Sequence, residues 1–464
     1  MLSLRADEIA ALTGGRLDHV DPATVVDGPV VIDSREAGPG MMFVALAGEH
    51  EDGHRYVGDA RRRGVPLVLT ARPVDEPAVV VDDVAKALGF LAGGVLRRTP
   101  GVRVCGVTGS SGKTSTKDLI ASLLHHHGPT VAARGSFNNE IGLPLTVLGV
   151  DAETEYLVLE YSARNVGHIA YLTGIARPEI AVVLNVGSAH LGEFGSREAI
   201  ALAKGELVEA LPADGVAILN LDDPLVAPMA LRTSAEVVGF GETDAATIRI
   251  ADVTVDDEAR PRFRLVTESG EANVALSVHG RHQVGNAAAA AAVGLSFGMS
   301  LNEVVEELGS ATAQSAHRMA VQRRADGLLV VDDAYNANPE SMRAAIEALV
   351  GLATSRDGAS WAVVGEMREL GEESAGLHRA TGRAAASLGV DHLVVVGEVA
   401  AEVGEGARGV AGWSGTCTAV ATADDAVAAL GAARASDVVL VKASNAIGLW
   451  RVAEQLVGGV GAHR

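Results

Sequence analysis

Short runs of Val, Leu and Ile alternate with longer helical patterns along almost the whole chain of 464 residues. Such runs are VPLVLT (65–70), YLVLE (156–160), IAVVLNV (180–186), WAVVGE (361–366), HLVVVG (392–397) and DVVLVKAS (437–444). Their side chains are apolar without a two-residue alternation, which predicts strands buried on both faces. Strands that alternate with helices in this way predict βαβ units, parallel sheets and an α/β fold. A chain of this length holds about three domains. The expected divisions are 1–99, 100–317 and 318–464. Within the second, RPRFRLVT and EANVALSVHG alternate polar and apolar residues, so 248–278 reads as a β meander.

The charge excludes several functions. The formal net charge is −21 and only 3% of residues are aromatic. An acidic chain with few aromatics is poorly suited to bind nucleic acid or an anionic membrane. No run of about 18 apolar residues occurs. The N-terminus, MLSLRADEIAALTGG, reads as a short amphipathic helix and lacks the charged and apolar regions of a signal peptide. Two cysteines, Cys105 and Cys417, read as buried small hydrophobes in a reducing compartment. A cytoplasmic protein is expected.

The predicted strand 102–108 runs into Thr108-Gly109-Ser110-Ser111-Gly112-Lys113-Thr114-Ser115, and a helix follows over about 114–126. A glycine loop between a strand and a helix N-terminus presents N–H groups to phosphate. The lysine then reaches the terminal phosphates, and the threonine hydroxyl suits Mg²⁺. The spacing departs from the general phosphate-loop pattern, because Val107 stands where the first glycine would. His125, His126 and His127 close this helix, where the helix dipole favours them without any metal. Glu160 ends one predicted strand and His190 follows another, so both belong at the carboxyl edge of the same sheet, where ligands bind. Either could be structural or a metal ligand on this evidence alone. Lys204 lies on a helix, and lysine is scarce: Lys86, Lys113, Lys117, Lys204 and Lys442 are the only five. Asn286 precedes an alanine-rich helix (287–297) that it could cap. The cluster 332–339 follows a predicted strand, and its Asn338-Pro339 reads as a helix start.

GVTGSSGKTSTK (106–117), GSFNNEIGLPLT (135–146), NVGSAHLGEFGS (185–196), ALAKGEL (201–207), HRM (317–319), DDAYNANPESM (332–342), GEMRELGEES (365–374) and VKASN (441–445) occur in that order. Together they resemble the Mur ligases of peptidoglycan synthesis, most of all the MurF type. The resemblance covers essentially the whole chain. It implies a central parallel-sheet ATPase domain with a phosphate loop, flanked by an N-terminal UDP-sugar-binding α/β domain and a C-terminal Rossmann-like domain that binds the amine substrate. It implies ATP and two Mg²⁺, one near Thr114 and Glu160 and one near His190 with a Lys204 carbamylated by CO₂. It implies that Asn286 contacts adenine, that Arg318 contacts phosphate on domain closure, and that Asp333, Tyr335 and Asn336 lie beside the ribose or phosphates. Ser34 and Arg35 would meet the UDP part, Asn138, Asn139, Glu140 and Ser162 the peptidyl substrate, and Lys442, Ser444 and Asn445 the incoming amine or acyl phosphate.

The implied reaction is ATP-dependent addition of D-Ala-D-Ala to UDP-MurNAc-tripeptide through an acyl phosphate, by a cytoplasmic monomer with neither nucleic-acid partner nor membrane insertion. Two departures bear on it. Tyr161 and Ser162 stand where the MurF type usually has methionine and glycine, and Ala316 replaces a residue that is often arginine. These leave open a MurF-like ligase of a peptide natural-product pathway with another acid or amine. A regulatory nucleotide-binding protein without catalysis is a further alternative, which the presence of Lys113, Glu160, His190, Lys204 and Arg318 disfavours.

Overall fold

A computed structural model describes residues 1–48, 51–189 and 191–458. Three main sheets follow one another along the chain. The first has five strands in the order Arg16–Asp18, Ala78–Val80, Leu67–Thr70, Met42–Val44, Val30–Val31. All its pairs are parallel except the first. The second has nine strands, and its parallel part runs Ile248–Val255, Glu236–Gly241, Val216–Asn220, Ile180–Val183, Arg103–Thr108, Tyr156–Glu160, Thr130–Ala132. Pro261–Thr267 and Gly270–Ala275 extend it antiparallel, so the expected meander is present. The third has six strands, with Val438–Lys442 between Leu329–Asp332 and Ser360–Val364.

The buried sheets follow from the sequence pattern. Every residue of Tyr156–Glu160, Ile180–Val183, Ser360–Val364 and Val438–Lys442 is buried. A strand with helices packed on both faces must be apolar on both, which removes the alternation of a half-exposed strand. One apolar core lies under the central sheet and joins it to the N-terminal domain through the helix Val84–Arg97. The other face of the central sheet is covered by Lys113–His127 and Gln283–Ser296. Ala287 to Ala292 are fully or almost fully buried there. Small side chains let the two helices lie close on the sheet, which explains the alanine run.

Arg103–Thr108 lies at a topological switch. Its neighbours are Tyr156–Glu160 on one side and Ile180–Val183 on the other, and the chain leaves in opposite directions from them. Such a point opens a crevice at the carboxyl ends of the strands. Among the described residues, no helix is long and apolar enough to cross a membrane. Both cysteines are free; Cys105 is buried as expected, but Cys417 is only half-buried, because its strand Thr416–Val420 forms an edge of the third sheet.

Candidate active site

The phosphate-type loop leaves the strand Arg103–Thr108 at that switch point. Gly112 has φ +81°, and a Cβ on it would lie 2.6 Å from Asn286 Oδ1. Both the backbone angle and the space therefore require glycine. No side chain caps the helix Lys113–His127 that starts here. The loop is shaped from outside by Asn185. The Ser110 and Ser111 N–H groups donate to Asn185 Oδ1 at 3.0 and 2.9 Å, and Asn185 Nδ2 donates back to the Ser111 carbonyl at 3.1 Å. Lys113 Nζ donates to the Gly109 carbonyl at 2.7 Å. Burial pulls the Lys113 pKa below its ordinary value; the Glu160 carboxylate opposes this and the Arg318 cation adds to it.

Two clefts meet at this loop, and Ser111, Gly112, Arg318 and Asn336 line both. The smaller, about 180 Å³, contains Lys113, Thr114, Ser136, Asn138 and Glu160. Glu160 is 1% exposed. It accepts from the Thr114 hydroxyl at 2.9 Å and from Asn138 Nδ2 at 2.7 Å. Ser136 Oγ lies 3.0 Å from Thr114 Oγ1, and Arg318 Nη2 donates to Ser136 at 2.8 Å. The Thr114 proton is committed to Glu160, so Ser136 donates to Thr114. Arg318 is thereby linked to Glu160 through two hydroxyls, with Arg318 Cζ 4.4 Å from the centre of the Tyr335 ring. Glu140, Asn139, Ser162, Arg164 and His168 line the far side. Asn139 Oδ1 accepts from the Ile141 and Gly142 N–H groups at the start of the helix Gly142–Val147.

The larger cleft, about 410 Å³, includes Ser115, His282, Gln283, Asn286, Asp333, Glu340 and Lys442. Asn286 does not cap a helix. The helix already begins at Gln283, and Asn286 Nδ2 donates to Gln283 Oε1 at 2.8 Å while its oxygen faces Gly112. Lys442, 2% exposed at its side chain, donates to Asp333 Oδ2 at 2.5 Å and to the Asn336 carbonyl at 2.9 Å. Asp333 Oδ1 also accepts from the Met319 N–H at 3.1 Å. Asn338 caps the helix Pro339–Ser355, and Glu340 in its first turn reaches Ser188 of the central domain.

Lys204 is 4% exposed on the helix Arg197–Glu209. Its amine makes no hydrogen bond or ion pair among the described residues. Burial lowers its pKa well below the ordinary lysine value; Lys113 adds to this and Glu160 opposes it. His190 lies outside the described residues. Ser34 and Arg35 follow the strand Val30–Val31 and line neither cleft, and Arg35 pairs with Asp33 at 2.6 Å. Ser444 accepts from the Arg368 N–H at 3.0 Å, and Asn445 is exposed; neither lines these clefts. Tyr161, which directly follows Glu160, points into the core, where it is fully buried and donates to the Ala176 carbonyl at 2.5 Å. Sequence reasoning did not single out Asn185, Ser136, Arg164 or Glu340, although Asn185 begins one of the quoted motifs.

Residues 107–294 match the family described as "Mur ligase middle domain", 317–445 "Mur ligase, glutamate ligase domain" and 29–94 "Mur ligase family, catalytic domain". The chain is 46% identical to the UDP-N-acetylmuramoyl-tripeptide--D-alanyl-D-alanine ligase of Mycobacterium tuberculosis H37Rv, with 98% of each covered. Its fold is similar to the crystal structure of MurF from Acinetobacter baumannii, with a TM-score of 0.88, 32% identity, and 98% and 99% of the two chains covered. The Thermotoga maritima MurF ligase in complex with ADP gives a TM-score of 0.79 at 31% identity, over 92% of this chain and 97% of that one.

Proposed function

The chain belongs to the Mur ligase family, and on that premise we propose that it joins D-Ala-D-Ala to UDP-MurNAc-tripeptide, using ATP and passing through an acyl phosphate. The observation that carries this reading is the meeting of two clefts at one phosphate-type loop. One cleft has room for a nucleotide, and the other holds Lys113, Thr114 and Glu160 beside polar groups suited to a carboxylate substrate. In this reading ATP lies in the larger cleft, on the loop from Gly109 to Ser115. Asn286 borders the adenine end, and Asp333, Tyr335 and Asn336 border the ribose and phosphates. The tripeptide carboxylate enters the smaller cleft past Asn138, Asn139, Glu140 and Ser162.

Transfer of the γ-phosphoryl group brings two anions together, so positive charge at the junction lowers the barrier. Lys113 and Arg318 supply it from the chain itself. Asp333 and Lys442 fix each other beside the nucleotide. In the second step the amine of D-Ala-D-Ala attacks the acyl carbon and phosphate leaves. Lys442, Ser444 and Asn445 are assigned to that side. Docking of the C-terminal domain excludes water from the acyl phosphate. The proposed division of labour is UDP-sugar binding by 1–99, with Ser34 and Arg35, ATP binding by 100–317, and amine binding by 318–464. A cytoplasmic monomer is part of the proposal.

The donor set suits Mg²⁺. Thr114 and Glu160 offer oxygens at the end of the loop, and among the described residues no three His, Cys, Asp or Glu side chains converge into a cage. A hard cation held by few protein oxygens with phosphate completing its shell is the usual Mg²⁺ arrangement. Thr114 and Glu160 would hold one ion, and His190 with carbamylated Lys204 the other. Bound there, Mg²⁺ supplies charge that screens the phosphate oxygens from the carboxylate. Lys204 fits carbamylation because it is buried, without a partner among the described residues, and has a depressed pKa. A neutral amine can attack CO₂; an ammonium cannot. Mass spectrometry of the native protein and Lys204→Ala with carboxylate rescue test this. A fully active alanine variant defeats it.

A coupled phosphate-release assay with UDP-MurNAc-tripeptide, with and without D-Ala-D-Ala, tests the main reading. Release is expected only when both are present. Release with neither overturns it.

A further inference from the structure

Arg318 lies between two residues with left-handed backbone: His317 has φ +59° and Met319 has φ +50°. Neither is glycine, so both angles are strained. Among the described residues, no other two non-glycine residues with positive φ stand within two positions of each other. Such strain persists only where the surroundings hold it. Here one segment, 332–335, does the holding. The Asp332 carboxylate, 5% exposed, accepts from His317 Nδ1 at 2.6 Å, and its other oxygen accepts from the Ala334 N–H at 3.2 Å. The Tyr335 N–H donates to the His317 carbonyl at 3.2 Å, and Asp333 Oδ1 takes the Met319 N–H. Asp332 itself ends the strand Leu329–Asp332, opposite Ala320 in the neighbouring strand, so the clamp rests on the third sheet. The His317 ring also stacks on that of Trp450, with centres 5.4 Å apart.

We propose that His317 and Asp332 are positioning residues for phosphoryl transfer, which act through Arg318 by holding its backbone in this strained turn. This rests on the ligase reading above, in which Arg318 meets the charge that develops at the γ-phosphate. An arginine side chain is long and flexible, and its guanidinium aids transfer only where it faces that charge. Arg318 is fixed at both ends. Its guanidinium donates to Ser136 of the central domain at 2.8 Å and lies over the Tyr335 ring. Its backbone is fixed through the ties of its two neighbours to Asp332, Asp333 and Tyr335. Without the His317 side chain, residue 317 is free to leave the left-handed region, and Arg318 turns away from the junction of the two clefts. A histidine kept only to partner a buried carboxylate could do so from unstrained backbone. The strain is accounted for by where it places Arg318.

His317→Gly tests this. Glycine takes φ +59° without cost, so the variant keeps the fold while losing the tie to Asp332. Phosphate release with ATP, UDP-MurNAc-tripeptide and D-Ala-D-Ala gives kcat. Calorimetry with ADP gives the nucleotide affinity and the number of binding sites by which kcat is divided. ADP lacks the γ-phosphate, so its affinity should stay within about threefold of native while kcat per site falls by more than about fivefold. Asp332→Ala should do the same. The double variant should lose no more than the larger single loss, because the two side chains act as one unit. A merely structural pair would lower the melting temperature or the number of sites and leave kcat per site unchanged. A fall in kcat per site of less than about fivefold for His317→Gly overturns the proposal. So does an equal fall in ADP affinity, or a double loss equal to the product of the single ones. Phosphate release by the native enzyme with neither substrate overturns the ligase reading itself, whereas those outcomes in the variants leave that reading standing.

Discussion

Glu340 of the C-terminal domain accepts two hydrogen bonds from Ser188 of the central domain, the backbone N–H at Oε1 and the hydroxyl at Oε2, both at 2.9 Å. The contact leaves no room for a side chain at position 187, since a Cβ on Gly187 would lie 2.8 Å from the Glu340 carboxyl carbon. It joins the helix that starts at Asn338-Pro339 to the loop that leads to His190. Asn338 Nδ2 also reaches the Ser110 carbonyl of the phosphate-type loop, at 3.4 Å. Docking of the two domains is thus tied to the geometry of the phosphate-type loop. Glu340→Ala should lower kcat by about tenfold, the worth of one charge-assisted contact, with a smaller change in melting temperature. Ser188→Ala combined with it should cost less than the two single effects added, with a coupling of about 1 kcal/mol. Steady-state phosphate release on the four proteins of the cycle measures this.

Gly112→Ala should remove nucleotide binding without unfolding the chain. The residue would have to hold φ +81°, which costs an L residue about 1–2 kcal/mol, and its methyl group would press on Asn286 Oδ1 at 2.6 Å. The loop would relieve both by shifting away from Asn286, which opens the cradle. ADP affinity should fall by about a hundredfold by calorimetry, with circular dichroism unchanged. Gly112→Ala with Asn286→Ala removes the clash but keeps the backbone strain and gives up the contact proposed for Asn286 at the adenine end, so it should recover only part of the loss.

The pieces of the site that were legible in the sequence are those whose causes are local. A strand, a glycine loop and a helix start lie within about twenty residues, and the folded chain has them in that order. Glu160 could be placed because it ends a continuous apolar run. Asn185 could not be paired with Ser110, because that bond spans 75 residues of sequence. The contact between Arg318 and Ser136 spans 182 and depends on how two domains dock. Of the two readings open for Asn286, capping fails because the helix starts earlier, at Gln283, ahead of the alanine run that marks it in the sequence. The orientation of Tyr161 was within reach of strand geometry. Successive side chains of an extended segment point to opposite faces, so a glutamate facing the cleft sends the next residue into the core.

That orientation predicts that Tyr161→Met affects stability and not substrate choice. The ring fills space opposite Gly106, where a Cβ would lie 2.7 Å from it, and the hydroxyl donates to the Ala176 carbonyl. Methionine leaves that buried carbonyl without its partner and fills the slot less well. The loss should be about 1–3 kcal/mol, read as a drop of several degrees in melting temperature. The ratio of kcat/KM between alternative acceptor peptides should stay within about twofold of the native value, because Tyr161 does not line the cleft. A shift in that ratio would mean that the ring reaches the substrate.

Lys204→Met should abolish activity and leave the protein at least as stable as before. The native lysine is buried without a partner among the described residues, and burial holds its pKa well below 10.5. The unfolded chain binds the Lys204 proton at any pH below about 10.5, whereas the folded chain does so only below the depressed value. Between those two values the unfolded state holds more protons, so the native protein loses stability as pH falls across that window. Methionine has no proton to bind and keeps similar volume. In CO₂-depleted buffer, the melting temperature of Lys204→Met should therefore exceed that of the native chain by a margin that grows as pH is lowered from about 10 towards neutrality. Carbamylation adds a second signature. Bicarbonate should raise the native protein's kcat and narrow the gap in melting temperature, and it should do neither for Lys204→Met. Thermal melts across pH, with and without bicarbonate, separate the cost of burying an amine from the function that the amine serves.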